Sequence, residues 1–128
     1  MVIAGLALAG VAALVHVVIF ALESLVWTTP RARSVFGTTE QEAAATKEMA
    51  FNQGFYNLFL AVVVAVGIVL FAAEQTAAGA ALVFAGAGSM AAAALVLLLS
   101  SPDKTSAALK QGILPALGVV ALTIGLTL

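Results

Sequence analysis

Between Val2 and Leu128 only three short polar breaks interrupt the chain, which leaves four apolar stretches. A helix of about 20 mostly apolar residues spans the ~30 Å hydrocarbon layer of a bilayer. Inside that layer every backbone N–H and C=O needs an internal partner, so only helices and closed barrels cross it. Barrel strands alternate apolar and polar side chains. These runs are continuous, so they predict helices. The expected fold is all-α: a single membrane domain, residues 1–128, forming an up-and-down four-helix transmembrane bundle. Its helices are expected at about residues 2–27, 40–73, 77–99 and 106–128.

Composition agrees, with 63% apolar and 9% charged residues, where a soluble domain carries about 25% charged ones. A water-facing surface cannot be built from so few charges. The net charge of −1 gives no bias toward nucleic acid, and none is expected as a partner. The chain has no cysteine and one histidine, which leaves no thiolate chemistry and no histidine-rich metal centre. A secretory signal would start with cations and a shorter apolar core. No Lys or Arg precedes Arg31, so the first stretch is expected to be a retained helix.

The breaks have local causes. Thr28-Thr29-Pro30 ends the first helix, because a residue before proline is pushed out of the helical region. A loop with Arg31, Arg33 and Gly37 is expected to follow. Thr38 or Thr39 with Gln41 or Glu42 offers a capping box, so the second helix should start near Glu40, before its apolar part. Glu74-Gln75-Thr76 and Ser100-Ser101-Pro102-Asp103 make the later turns. Pro115 cannot donate a backbone bond, which frees the carbonyl of Gln111 and predicts a kink. The third helix is rich in small residues, from Ala85 to Ser89 and Ala91 to Ala94, as close packing in lipid requires. Packing within the bundle is the expected use, with a homo-oligomer face as the alternative.

All five Lys and Arg residues fall in or beside the first and third loops. The positive-inside rule then puts the 1–2 and 3–4 loops in the cytoplasm and both termini outside.

Few polar residues interrupt the spans. His16, Phe20, Glu23 and Trp27 would share an arc of roughly 60° on a continuous helix. Asn52, Gln53, Tyr56 and Asn57 span roughly 140° of the second helix. With Gln111 they are expected to form one polar pocket opening to the cytoplasm. His16 and Glu23 are the candidate catalytic pair, since imidazole and carboxylate can exchange a proton. Trp27, Asn52, Gln53, Tyr56, Asn57 and Gln111 are the candidate ligand-binding residues. Each has a plainer reading. Glu23 can pair with Arg31 or Arg33, Trp27 can be an interfacial anchor, and the amides can tie helices together. No metal site is expected, and no cofactor is indicated.

The strings His16-Val17-Val18-Ile19-Phe20-Ala21-Leu22-Glu23, Trp27-Thr28-Thr29-Pro30-Arg31, Val35-Phe36-Gly37 and Asn52-Gln53-Gly54-Phe55-Tyr56-Asn57 resemble the bacterial membrane family catalogued as domain of unknown function 1304. The resemblance implies a small four-helix inner-membrane protein and no settled activity. Its motif residues coincide with the polar constellation. The expected function is therefore binding of a lipid-soluble small molecule in the membrane, with membrane lipid around it and proton transfer as the chemistry. A small transporter or proton-coupled carrier, and a structural or accessory subunit, are the alternatives.

Overall fold

The computed structural model describes residues 1–128 and consists of helices and turns without strands. Helix α1 (Val2–Phe20) runs on through one wide π-helical turn (Ala21–Leu25). Helix α2 (Pro30–Phe36) is short, and α3 (Glu40–Ala72), α4 (Thr76–Ser100) and α5 (Thr105–Thr127) are long. A 3-10 turn, Pro102–Lys104, leads into α5, which continues unbroken through the buried Pro115.

Two expectations are corrected. The first helix is not an α-helix to Trp27: its last turn is widened, it ends at Leu25, and Trp27 lies in the turn that follows. The segment with Arg31 and Arg33 is not a loop but α2. One proline does two jobs here. Pro30 blocks helix in the residue before it, yet its fixed φ and missing N–H suit the first position of a new helix. The Thr29 side chain accepts from the Ala32 N–H at 3.4 Å, and Gly37, at φ 65°, closes the helix in the left-handed region where glycine is unstrained.

The four long segments pack as an antiparallel ring, with α1 and α4 each lying between α3 and α5. Four of them are long and apolar enough to cross a membrane. Only 26 of 128 residues are buried, while Ile3, Leu14, Val69, Val96 and Leu99 are each more than 60% exposed. Soluble monomers rarely show apolar patches beyond a few hundred Å². This is the architecture of a multi-pass membrane protein.

The core explains how the ring holds together. Ala9, Ala12, Ala13, Ala61 and Ala87 make up much of it, with Val64, Val83, Met90 and Leu122. Lipid tails are as apolar as these side chains, so close packing rather than water exclusion drives association. Glycine lets the backbones meet. A Cβ on Gly5 would stand 2.6 Å from the Leu122 nitrogen, and one on Gly67 would stand 2.8 Å from that of Val83.

At 33 residues, α3 is about 50 Å long and overreaches the hydrocarbon layer. Its first ten or so residues extend past the ends of its neighbours' apolar parts. The expected capping box is present: Thr39 accepts from the Glu42 N–H at 3.1 Å, and Glu42 accepts from the Thr39 N–H at 2.8 Å. Thr39→Ala should loosen this end by about 1 kcal/mol. Amide exchange at Glu42 and Ala43 should then quicken while the membrane part of α3 stays protected. Unchanged exchange would mean that the end is held by something other than its cap.

Candidate functional site

The π-helical turn sets the geometry. Each widened turn takes up one residue more than an α-turn, and such turns are frequent at functional sites. Here it brings Glu23 and Ser24 against α3 at Gly54, where any Cβ would collide with Ser24 and approach the Phe20 carbonyl oxygen at 3.1 Å. Ser24 Oγ donates to the Phe51 carbonyl at 2.8 Å. Asn57 Nδ2 donates to Glu23 Oε2 at 2.7 Å and to the Gln53 carbonyl at 3.2 Å. Beside them Phe20 and Phe55 meet edge to face, with ring centres 5.1 Å apart. The half-buried carboxyl of Glu23 thus rests on an amide of the neighbouring helix, among aromatic rings. It forms no ion pair with Arg31 or Arg33; the structure's one carboxylate–cation contact is between Asp103 and Lys104.

His16 lies deeper in the bundle and is 2% exposed. Its Nδ1 sits 2.9 Å from the Ala12 carbonyl oxygen. A carbonyl can only accept, so Nδ1 carries a proton, and whenever the ring is neutral Nε2 keeps its lone pair. Seven residues separate His16 from Glu23, or roughly 10 Å along the axis. The Trp27 indole N–H donates to Thr46 Oγ1 at 3.1 Å, and its ring packs on Phe36 at 5.2 Å. It fastens the turn after α1 to the overreaching part of α3.

The remaining residues do not gather around Glu23. On α3 the buried stripe runs through Ala50, Gly54, Ala61 and Val64. Asn57 borders that stripe, whereas Asn52 and Tyr56 lie more than about 100° round the helix from Gly54. Asn52, Gln53 and Tyr56 are exposed, and the Asn52 amide donates to the Glu48 carbonyl of its own helix at 3.2 Å. An arc of roughly 140° is wider than the face a bundle helix buries, so part of it had to turn outward. Gln111 lies on the other side of α1. It lines a cleft between α1, α2 and α5 with Val15, Val18, Ile19, Leu22 and Phe36. The single expected volume is therefore two places, the Glu23–Asn57 contact at α3 and the Gln111 cleft at α5.

Sequence reasoning passed over Ser24, Thr46 and Gly54. Gly54 carried a readable signal: a glycine among Asn52, Gln53 and Asn57 in a membrane helix marks a close crossing beside polar groups.

A family model described as "Protein of unknown function (DUF1304)" matches residues 10–123. No curated protein and no solved structure matches the chain.

Proposed function

The chain belongs to this family of unknown function, and from that premise we propose that its Glu23–Asn57 contact binds a lipid-soluble small molecule and exchanges a proton with it. The observation that carries the reading is a carboxyl group within an apolar span whose partner is an amide, not a cation. Ionisable groups in spans mark functional sites by default. The chemistry fits a ligand with a polar oxygen on an apolar body. Phe20 and Phe55 suit the body, Asn57 orients the oxygen, and Glu23 gives or takes its proton as general acid or base. His16, with Nε2 free to accept, is a second proton-handling group further in.

The reading places the polar end, with α2 and the 3-10 turn, in the cytoplasm, and the protein in the inner membrane. A carrier ranks below binding, because the far end of the α1–α5 crossing is backbone packed on backbone at Gly5, Ala9, Gly118 and Leu122. An accessory role has less to stand on, since Gly67, Gly79 and Gly86 are spent on the α3–α4 crossing within the chain.

Native mass spectrometry of gently extracted protein tests this. Wild type should hold a discrete small molecule that is not a phospholipid. Glu23→Gln keeps an acceptor for Asn57 and so the fold, but loses the exchangeable carboxyl proton. Retention should drop about tenfold or more. Ordinary phospholipid alone on both proteins would overturn the proposal.

A further inference from the structure

We propose that the cleft between α1, α2 and α5 binds an anionic phospholipid, with one acyl chain in the cleft and the phosphate at Lys110 and Lys104. The cleft is independent of the Glu23–Asn57 contact, since neither residue lines it. Its floor is Val15, Val18, Ile19 and Leu22, which span about 10 Å along α1. Its walls are Val35 and Phe36 of α2 and Ala107 of α5, so hydrocarbon is the matching content.

Size limits the occupant. The cleft has a volume of about 210 Å³, below the ~300–1,000 Å³ of pockets that enclose a whole small molecule. It suits part of an amphiphile whose remainder stays in the bilayer.

Charge then selects the head. Lys110 lines the cleft, is exposed, and makes no hydrogen bond or ion pair within the chain. Lys104 ends the 3-10 turn that leads into α5, three residues before Ala107. Its Nζ donates to the Gly37 carbonyl at 2.7 Å, directly after the cleft residue Phe36. Arg33, also on α2, has a buried Nε without a partner. Two acids offset this rim: Asp103 lies 3.9 Å from Lys104, and Glu42 is within its electrostatic reach. Lys110 is left without an ion-pair partner, at the end of the bundle that holds every Lys and Arg of the chain. Basic pockets between membrane helices on the cytoplasmic side hold anionic lipid head groups by this means.

The test uses the full chain in mild detergent, with dioleoyl phosphatidylglycerol and dioleoyl phosphatidylcholine offered in equal amounts. The two have the same tails and differ in head-group charge. Native mass spectrometry should show wild type retaining the phosphatidylglycerol about tenfold more. Lys110→Gln, at an exposed position, should cut that retention about fivefold and leave the choline lipid unchanged. Ala107→Phe fills the cleft and should remove the preference altogether. Equal retention of the two lipids by wild type would overturn the proposal, as would a preference that survives Lys110→Gln combined with Lys104→Gln. A wild-type dimer without bound phosphatidylglycerol would give this face to a second copy instead and overturn it too.

Discussion

Gly79→Ala should lower the stability of the bundle by about 2 kcal/mol, while Gly88→Ala on the same helix should leave it unchanged or raise it by up to ~1 kcal/mol. The substitution is chemically identical at the two sites, so the difference isolates packing. A Cβ on Gly79 would lie 2.5 Å from the Phe71 nitrogen and 2.7 Å from the Gly67 carbonyl oxygen. Both are backbone atoms of α3, which cannot rotate away as a side chain would. The helices must part, and the close contacts at Gly67 and Gly86 loosen with them. Nothing stands within 4 Å of a Cβ on Gly88. There the only change is replacement of glycine by the best helix former. Thermal unfolding of the two variants in one detergent measures the contrast. Equal melting temperatures would mean that α3 and α4 do not meet at the Gly67–Gly79 crossing.

His16 separates structure from chemistry by a comparison of two replacements. His16→Ala removes a fully enclosed ring and should destabilise the protein by about 2 kcal/mol through the cavity left behind. The usual transfer contribution is small here, because the unpacked reference is lipid and not water. His16→Leu restores most of the volume and should cost less than about 1.5 kcal/mol. The Ala12 carbonyl keeps its helical backbone partner in either case. If Nε2 handles a proton, both variants lose the exchange, and His16→Leu loses it with its melting temperature nearly intact. A His16→Leu protein as competent as wild type would leave the imidazole a packing role only.

The parts of this fold legible in the sequence are those set by local chemistry. Span length follows from apolar runs, the start of α3 from Thr39 and Glu42, and the tight α3–α4 turn from Glu74 and Gln75. Hydrogen bonds confirm the cap, and all four spans appear within a residue or two of their expected bounds, the first ending at Leu25 after its widened turn. What stayed hidden depends on arrangement. No residue between Phe20 and Leu25 announces a π-helical turn, because that turn goes with Ser24 and Glu23 bonding to the neighbouring α3. Gln111 looked like a partner of Glu23 because both sit at the polar end. Depth is readable from residue counts, but the order of helices around α1 is not, and that order puts α3 and α5 on different flanks. The same limit applies to Tyr56, whose depth was right for a site while its 64% exposure turns it to the surroundings.

The widened turn at Ala21–Leu25 also decides where α1 can change length. Remove one residue there, and the helix closes into ordinary α-geometry at little cost to its own backbone. Everything from Val26 onward would keep nearly its place, because five residues in the wide turn cover about the same angle and rise as four in α-geometry. Trp27 would still reach Thr46, and Phe36 would still wall the α1–α5 cleft, while the bulge that presses Glu23 and Ser24 against α3 would be gone. A deletion at this point should therefore yield a chain that still inserts and still forms its bundle, with the Glu23–Asn57 contact dismantled and the cleft kept. When relatives of different length are compared, a one-residue gap between His16 and Trp27 would mark an altered activity more surely than several substitutions elsewhere in the helix.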